Sequence, residues 1–575
     1  MMENKNIILA VALSIAILFG WEAYVSFTKP PAPPATETTA EAGAPTPNLP
    51  APGSEAMAPA AAGGTPQAPG ALPGIAGQRP NQNEALMAAG GRVKISTPRL
   101  HGSFNLRGLR LDDLTLANYR ETQDADSAEI VLLTPQTGTA GYFAEFGWVG
   151  GSGQSVKLPD AEAIWSADRE ELTPDAPVTL TWDNGEGLTF HKKISVDGNY
   201  LFTVERSVEN STGAPVTLYP YGLVSRHGTP HTTGFYILHE GPLGVFDGTL
   251  AEVDYDDLSD DGPVEKKSTG GWIGITDKYW LTALVPDQKE AVTSRFTHRK
   301  DGTLDKYQTD YLGAPLVVPA GGSTQVTGYL FAGAKELDAL EGYQESLGIK
   351  NFDLAIDFGW FYFLTKPLFH ALIWLNSHLG NYGVAILVLT VIVKLAFFPL
   401  ANKSYRSMSK MRALQPKMEK LRERFGDDKQ RLNQEMMQLY KKEKVNPASG
   451  CLPIIVQIPV FFALYKVLFV CIEMRHAPFF GWIHDLSAPD PTSVFNLFGL
   501  IDWMPPDVLM IGVWPLIMGA TMFLQQKLNP QPADPIQAKI FLFLPVMFTF
   551  MLARFPAGLV IYWAWNNALS IAQQK

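Results

Sequence analysis

A single lysine, Lys394, interrupts an otherwise apolar run between Ile386 and Phe398. A cation costs about 2.5 kcal/mol or more at the centre of a bilayer, so a lysine in a membrane span is a functional candidate. Two interpretations stay open. Lys394 could face a wet cavity between helices and attract acidic groups. Alternatively, it lies six residues before Leu400, roughly 9 Å along a helix, so its long side chain could extend to the membrane surface.

Polar side chains in the other apolar runs are candidates to line such a cavity. Gln457 lies between Pro453 and Pro459, and prolines bend a helix or free some of its backbone groups. An ordinary hydrogen bond between helices is the alternative role for Gln457. The remaining candidates are Thr390, Gln525, Gln526, Thr549, Tyr562, Asn566 and Asn567.

Catalytic chemistry has little support in this sequence. His227, His231 and His239 lie in a stretch rich in Gly, Pro and Thr, which argues against the helix that a metal-binding His-x3-His spacing requires. We expect these histidines to lie in surface loops. No nucleophile elbow, phosphate loop, metal cluster or Cys-x-x-Cys motif occurs. The prediction is therefore a protein that is not an enzyme and has no catalytic residue, metal or cofactor.

Membrane spans are the elements that must position these polar residues. Long apolar runs fit the length that a helix needs to cross a bilayer. They occur at 7–20, 384–400, 451–472, 508–524, 540–552 and 555–571. The first run is followed by aromatic residues instead of a small-x-small cleavage site, so an uncleaved anchor is favoured over a signal peptide.

The charge distribution orients these six spans. The whole chain has a net charge of −11, but residues 401–450 hold thirteen Lys and Arg against six Asp and Glu. Because Lys and Arg are retained on the cytoplasmic side, this segment is expected in the cytoplasm. Both termini then lie inside, and the large domain between the first two spans lies outside.

The regions outside the spans have distinct patterns. Residues 28–90 are dominated by Pro, Ala, Gly and Thr. Such a composition cannot bury a hydrophobic core, so it predicts a disordered linker. Short alternating strands, separated by turns such as Asp183-Asn184-Gly185, predict one large antiparallel β-sandwich, closed by a helix at 334–349. The segment 357–378 is aromatic and amphipathic, which predicts a helix in the membrane interface. A buried core helix is the alternative.

Residues 401–450 predict two helices joined by a tight break. Apolar residues recur at three- and four-residue spacing on each side of Gly426-Asp427-Asp428, which indicates an antiparallel hairpin with one apolar seam. Its basic outer face could contact lipid headgroups or ribosomal RNA, or could simply be solvated. The contact candidates on the hairpin are Arg412, Lys417, Asp427 and Asp428.

The predicted fold class is thus a multi-domain membrane protein. It has an α-helical transmembrane bundle of six spans, an all-β supersandwich on the outside and a cytoplasmic antiparallel helical hairpin. The predicted parts are an anchor (1–27), a linker (28–90), the β-domain (91–350), the interfacial helix (357–378), a second span (383–400), the hairpin (401–450), and spans three to six (451–573) with an external loop at 474–507.

An ordered run of motifs resembles the YidC-Oxa family of membrane protein insertases, in the Gram-negative form that carries a large periplasmic domain. The resemblance covers essentially 357–575. Its motifs are Met411-Arg412-Ala413-Leu414-Gln415-Pro416-Lys417, Phe425-Gly426-Asp427-Asp428-Lys429-Gln430-Arg431, Gln434-Glu435-Met436-Met437, Lys444-Val445-Asn446-Pro447, Gly450-Cys451-Leu452-Pro453, Gln457-Ile458-Pro459, Trp482-Ile483-His484-Asp485-Leu486-Ser487 and Phe555-Pro556-Ala557-Gly558-Leu559-Val560-Ile561-Tyr562. The resemblance implies a bacterial inner-membrane insertase and chaperone that acts alone or with the Sec translocon.

The resemblance also implies a positively charged groove, open to the cytoplasm and to lipid. Lys394 occupies the position of the family's usual arginine, and the other groove residues fall on Thr390, Gln457, Tyr562 and Trp563. The implied partners are nascent membrane proteins, Sec translocon subunits, the ribosome, the signal recognition pathway and membrane lipids. The family's basic C-terminal tail does not follow the last span in this sequence: either the chain is truncated there, or the tail is truly absent and weaker ribosome contact is expected.

Two departures from the family pattern and two other function classes remain at this point. The external loop carries an extra apolar stretch at 497–506, and Arg554 stands where an aromatic residue is more usual. A secondary transporter would require inverted repeats with paired broken helices, which we do not find. A membrane-anchored periplasmic carbohydrate-binding or epimerase-like protein would require clustered His and carboxylate residues in the sandwich.

Overall fold

The computed structural model describes residues 91–574, apart from 125, 138–139, 152–153, 155, 233–237, 426–427, 444–451, 502, 504, 507–508 and 529–534. The anchor predicted at 1–27 and the linker predicted at 28–90 lie outside the described residues. Asp427, one of the predicted hairpin contacts, also lies outside them.

The first half of the described chain is all-β and consists of two large sheets. The first sheet has eleven strands in the order β14-β17-β18-β11-β5-β4-β3-β2-β1-β7, with β19 also paired to β11. Its strands are β1 Arg92–Ser96, β2 Leu100–Asn105, β3 Leu111–Arg120, β4 Glu129–Thr137, β5 Ala140–Gly150, β7 Glu171–Leu172, β11 Val216–His227, β14 Val264–Thr269, β17 Ala291–Asp301, β18 Leu304–Leu312 and β19 Leu316–Val318.

The second sheet has nine strands in the order β13-β12-β15-β16-β20-β10-β9-β8-β6. These are β6 Ser166–Ala167, β8 Val178–Asp183, β9 Leu188–Val196, β10 Leu201–Asn210, β12 Gly241–Phe246, β13 Thr249–Glu252, β15 Trp272–Thr276, β16 Trp280–Val285 and β20 Ser323–Ala334. Buried residues of both sheets form one hydrophobic cluster, so the domain is a sandwich. The predicted all-β domain is confirmed.

Local sequence explains why these strands pair as they do. In β9, buried residues alternate with half-buried ones, which places one face of the strand on the core. The preceding turn is built by Asn184, whose Oδ1 accepts hydrogen bonds from the backbone N–H groups of Glu186 and Leu188 at 2.7 and 3.0 Å. Gly185 supplies the positive φ of 73° that this turn requires.

The chain beyond the sandwich is helical, apart from loops and short 3₁₀ turns. Two helices belong to the β-domain, α1 Tyr255–Asp261 and α2 Leu337–Leu347. The others are α3 Tyr362–Leu379, α4 Tyr382–Ala396, α5 Phe398–Phe425, α6 Lys429–Lys442, α7 Leu452–Val470, α8 Val513–Leu528, α9 Pro535–Leu552 and α10 Ala557–Gln574. Helix α10 packs against α4, α7 and α8, and α3 packs against α4 and α7.

Length and apolar composition decide whether a described helix could cross a membrane by itself. No single one of them is both long and apolar enough to cross a bilayer. The segments Tyr382–Ala396 and Phe398–Leu414 meet both criteria together, as a pair bent by 68°. Shorter apolar helices extend over Gln457–Val470 and Lys539–Leu552.

The two halves of the described chain expose very different surfaces. Among the large hydrophobic side chains that are exposed in the described residues, only Ile164 and Val317 belong to the sandwich. All the others lie from Trp360 onward. Helix α9 exposes apolar side chains at many positions from Ile540 to Met551, including Phe543 at 63%. Such a surface is expected of helices that face lipid and not water.

Polar contacts join the sandwich to the helices. Lys366 of α3 forms ion pairs of 2.7 Å with Glu341 of α2 and with Asp353. Arg475, which follows α7, donates hydrogen bonds to backbone carbonyls at the end of β3, including that of Arg120 at 2.7 Å. Gln123 donates to the carbonyl of His484 at 2.7 Å. These contacts fix the β-domain on one end of the helical region.

Candidate functional site

Lys394 lies in the last turn of α4, a helix whose start is fixed by a side-chain cap. The Oδ1 of Asn381 accepts a hydrogen bond of 3.0 Å from the Val384 N–H. Lys394 is half-buried, and its Nζ donates a hydrogen bond of 2.9 Å to the Oγ of Ser570 in α10. Ser570 in turn donates to the carbonyl of Asn566 at 2.8 Å. The ammonium group therefore faces a neighbouring helix and has a neutral partner there.

Lys466 of α7 is a second lysine in an apolar helix, but its partner is charged, whereas the partner of Lys394 is neutral. Lys466 is ion-paired to Asp357 at 2.6 Å, and both side chains are largely buried. Within the part of the chain that the structure describes, Lys394 has no carboxylate at ion-pair distance. A serine hydroxyl is neutral, so the hydrogen bond to Ser570 leaves the charge of Lys394 uncompensated among the described residues.

A second polar pair joins α7 and α10. The side chain of Gln457 is half-buried and lies near the hydroxyl of Tyr562, which is 2% exposed. Phe461 lies against the same region, with its ring 6.4 Å from that of Tyr562 and 4.7 Å from that of Trp563. The pair is thus flanked by aromatic rings, and Trp563 also contacts Phe548 at 5.6 Å.

Thr390 occupies a different environment from the other candidates. It is 2% exposed, and its hydroxyl donates a 2.6 Å hydrogen bond to the carbonyl of Ile386 in its own helix. The hydroxyl is therefore satisfied inside α4. The structure gives Thr390 a packing position one turn before Lys394.

Ser570 is the residue that sequence reasoning missed. It follows Tyr562 and Asn566 at four-residue spacing, which places all three along one side of α10. That spacing was the available signal. Along a helix the eight residues from Tyr562 to Ser570 span about 12 Å. Polar groups therefore follow α10 from its middle toward its C-terminal end.

The predicted hairpin residues have identifiable local roles. Lys417 is ion-paired to Glu443 at 2.7 Å, and Met418 accepts a hydrogen bond from Tyr440, contacts that require α5 and α6 to run antiparallel. Asp428 is the N-cap of α6, because its side chain accepts from the Arg431 N–H at 3.0 Å. Arg412 is exposed.

The expectation that the three histidines lie in surface loops was wrong for His227. This residue ends β11 and pairs with Gly141 of β5 and Lys306 of β18, so the sheet covers it and leaves 6% exposed. Neither ring nitrogen has a hydrogen-bond partner among the described residues. Burial, together with the nearby cations Lys306 and Arg110, lowers the pKa of His227 to about 4.

The described residues contain one cluster of side chains whose spacing could suit a metal ion. Potential ligand atoms of Asp338, Glu341 and His370 lie within 4.8 Å of one another. Glu341 is already paired with Lys366 at 2.7 Å, and His370 lies 3.3 Å from the same carboxylate. The positive charge that balances the Glu341 carboxylate is therefore supplied by Lys366, without a metal ion.

Comparison with family models assigns both halves of the chain. Residues 92–371 match the YidC periplasmic domain, and residues 374–575 match the 60Kd inner membrane protein family. The first match covers the sandwich and its connection to α3. The second covers the helices that carry Lys394, Gln457 and Tyr562.

Curated relatives agree over the full length. The membrane protein insertase YidC of Methylorubrum extorquens is 52% identical, with 100% of this chain and 94% of that protein aligned. The YidC of Bradyrhizobium diazoefficiens is 51% identical, covering 100% of this chain and 96% of the relative. A solved structure described as an active YidC insertase with its first transmembrane domain resolved is 18% identical, with a TM-score of 0.34, over 84% of this chain and 92% of that one.

These relatives decide between the function classes. Insertases catalyse no covalent reaction, which accords with the expectation that the chain is not an enzyme. The comparisons do not support a secondary transporter or a carbohydrate-active protein.

Proposed function

The chain belongs to the YidC family of membrane protein insertases of the bacterial inner membrane, and we propose that Lys394 is the residue that attracts acidic groups of its substrates. The observation that carries this proposal is the half-buried ammonium group with a neutral partner, Ser570. An acidic residue of an incoming chain would supply the missing counter-charge. Gln457 and Tyr562 would offer further polar contacts along the same groove.

The energetic benefit of such a groove is a shorter path through hydrocarbon. Polar and charged residues of the translocated segment are costly in lipid unless they are hydrogen-bonded or paired. A groove lined by Lys394, Gln457 and Tyr562 would accommodate them over part of the bilayer. The substrate's own apolar segment then moves into lipid, and its burial drives insertion by about 25 cal/mol per Å².

We propose six membrane spans for this chain, in the arrangement that its charges favour. The N-terminal anchor, α4, α7, α8, α9 and α10 would cross the membrane, and both termini would lie in the cytoplasm. Helix α3, with Phe363 and Trp374 exposed opposite its buried face, would lie in the membrane interface. The hairpin of α5 and α6 would lie in the cytoplasm, with its excess of Lys and Arg.

The partners divide into those that the family supplies and those that we propose. As a YidC insertase, the protein acts on nascent membrane proteins. We propose in addition that it works alone and with Sec translocon subunits, and that it receives substrates through the signal recognition pathway and the ribosome. The exposed Arg412 and the basic face of the hairpin would contact ribosomal RNA or lipid headgroups.

Site-specific crosslinking tests the groove directly. A photoreactive residue at Lys394, Gln457 or Tyr562 should crosslink to a ribosome-stalled membrane protein when its acidic N-terminal segment is passing the bilayer. The same probe at Phe543, on the exposed surface of α9, serves as the control and should crosslink to lipid. Equal crosslinking of the nascent chain from Phe543 and from the three groove positions would refute the groove.

A further inference from the structure

The loop between α7 and α8 exposes an unusual amount of apolar surface. We call residues 494–503 the outer loop. Its exposed side chains are Phe495 at 44%, Leu497 at 52%, Phe498 at 49%, Leu500 at 86%, Ile501 at 47% and Trp503 at 48%. Residues 494–501 contain no charged residue, and the one charged residue of the loop is Asp502, next to Trp503. Residues 497–503 of the loop belong to the apolar stretch at 497–506 that departs from the family pattern.

The backbone of the outer loop is ordered by contacts within the loop. The N–H of Phe498 donates to the carbonyl of Ser493 at 2.8 Å, and the N–H of Ile501 donates to that of Asn496 at 3.1 Å. Leu497 and Phe498 both adopt the left-handed conformation, with φ of 50° and 59°. This conformation is unfavourable for residues other than glycine and turns their side chains away from the protein.

The base of the outer loop is fixed to α8 through Asp490, which is 2% exposed. Its carboxylate accepts from the indole N–H of Trp482 at 3.1 Å and from the backbone N–H of Trp514, at the start of α8, at 2.9 Å. The Ser493 hydroxyl donates to the carbonyl of Leu509 at 3.0 Å. The loop therefore keeps a defined position relative to the helices of the bundle.

The surroundings identify the medium that the outer loop contacts. Exposed apolar side chains also occur on α8, at Leu516 and Ile517, and on the segment that precedes the loop, at Phe480 and Trp482. The β-domain, which contacts the same end of the helices through Arg475 and faces water, exposes only Ile164 and Val317 among its described large hydrophobic residues. The surface of the outer loop thus matches that of the lipid-facing helices.

We propose that the outer loop inserts into the periplasmic leaflet of the membrane and anchors the start of α8 at a fixed depth. Hydrocarbon is the occupant that the strongly apolar surface of residues 494–501 fits, and Asp490 fixes the base of the loop to α8. Trp503 would lie at the headgroup level, where indole rings are favoured. This inference rests on the proposed arrangement of the spans.

Depth-dependent quenching tests the insertion on the full-length protein. Leu500→Cys is introduced together with Cys451→Ser, labelled with an environment-sensitive fluorophore, and the protein is reconstituted in vesicles of phosphatidylethanolamine and phosphatidylglycerol. The remaining cysteine, Cys471, is 1% exposed, and the parent protein without Leu500→Cys measures its labelling. Val317→Cys is the matched apolar control in the β-domain, and Phe543→Cys is the control in a span.

The two proposals give separable outcomes. We expect nitroxide on the lipid acyl chains to quench the label at Leu500 as strongly as the label at Phe543, and iodide in the buffer to quench only the label at Val317. Lipid quenching at Phe543 but not at Leu500 would overturn the insertion of the loop and leave the spans intact. Absence of lipid quenching at both positions would overturn the spans and, with them, the insertion.

Discussion

Lys394 and Lys466 are both lysines in apolar helices, but only the second has a carboxylate partner among the described residues. The pairing of Lys466 with Asp357 fixes the end of α7 against the segment that leads to the sandwich. The cation of Lys394, by contrast, is held by Ser570 at a defined position and is not neutralised. This difference is the basis for the proposal that Lys394, and not Lys466, attracts acidic groups of substrates.

Replacement of Lys394 should reveal this role. Lys394→Arg should support insertion, whereas Lys394→Ala should impair it, most for substrates with acidic N-terminal segments, because a charge-assisted hydrogen bond of about 1.5–3 kcal/mol is lost. Insertion is measured by protease accessibility of radiolabelled substrates in cells depleted of the native insertase. Lys403→Ala, which removes an exposed lysine of α5, should change little. Normal insertion of every substrate by Lys394→Glu would show that Lys394 only extends to the membrane surface.

The lowered pKa of His227 predicts that the stability of the β-domain depends on pH. Its pKa is about 4 in the folded protein and near 6.5 when unfolded, so the unfolded chain binds more protons between these values. Stability should therefore fall as the pH drops from 6.5, by about 3 kcal/mol when pH 4 is reached. Circular dichroism of the detergent-solubilised protein during thermal unfolding measures this loss. The slope should decrease in His227→Gln and persist in His231→Gln, and an unchanged slope in His227→Gln would contradict the assignment.

Helix packing in the bundle depends on close approach at small residues. A Cβ added to Gly519 of α8 would lie 2.1 Å from the Oγ1 of Thr549 in α9. That hydroxyl is already engaged with the carbonyl of Pro545 at 2.8 Å, so it cannot easily move away. The contact between α8 and α9 is therefore sensitive to one added methyl group.

We expect Gly519→Ala to destabilise the bundle by about 1–3 kcal/mol through overpacking. The double variant Gly519→Ala with Thr549→Ala should recover part of the loss, because the obstructing hydroxyl is gone. Gly342→Ala is the control, since a Cβ there meets nothing within 4 Å. Thermal unfolding in detergent, followed by helical circular dichroism, compares the three. A double variant less stable than Gly519→Ala would disprove the proposed steric cause.

Element boundaries show how far local sequence can predict structure. The predicted turn Asp183-Asn184-Gly185 is followed by strand β9, Leu188–Val196, because alternation over its first five residues and an Asn-Gly turn are local signals. Helix α3, in contrast, begins at Tyr362 and not near 357, since Asp357 accepts from the Gly359 N–H and is paired with Lys466. Gly359 adopts a φ of 70° there, which breaks the helix. That arrangement depends on α7, more than a hundred residues away.

The start of α8 is also set by contacts with residues that are distant in the sequence. The apolar run predicted a span from 508, whereas the helix begins at Val513. Thr492 accepts from the Val513 N–H at 3.1 Å and Asp490 accepts from the Trp514 N–H, so a distant loop caps the helix. Caps supplied by residues some twenty positions earlier have no local sequence pattern, and hydropathy alone cannot place them.

At the scale of the whole molecule, the junction of sandwich and helices depends on Lys366. Its ammonium pairs at once with Glu341 and Asp353, and the Asp353 side chain is 3% exposed. Removing the cation leaves a buried carboxylate without its charged partner, which is costly. Lys94 and Glu171 form a comparable pair, but on the exposed surface of the sandwich.

Lys366→Met should therefore loosen the junction by on the order of 2 kcal/mol. Hydrogen exchange, read by mass spectrometry, should become faster at 351–361 and stay unchanged in β10 and β20. Lys94→Met should have no detectable effect, because exposed pairs contribute little. Protection at 351–361 that survives Lys366→Met would show that apolar packing alone holds the junction.

The sequence predicted the division of the molecule better than its internal contacts. Composition and charge separate the sandwich, the apolar helices and the basic segment, since each depends on many residues at once. The predicted site residues Lys394, Gln457 and Tyr562 came from polarity within apolar runs, a signal that does not show which residues touch. The link from Lys394 to Ser570 requires α4 and α10 to be neighbours, and nearest-neighbour relations between helices are set by the fold as a whole.

The change in surface character at Trp360 has a consequence for how this protein tolerates substitutions. Up to that residue, exposed positions are those where evolution and engineering can act freely, as in any water-soluble domain. Beyond it, in the helices that we propose to span the membrane, the outermost side chains would be the constrained ones. An aspartate at Phe543 would cost about 2.5–3.5 kcal/mol at the centre of a helix in lipid, whereas the same change on the sandwich at Val317 would be mild. Variant effects in this one chain should therefore be judged by two opposite scales.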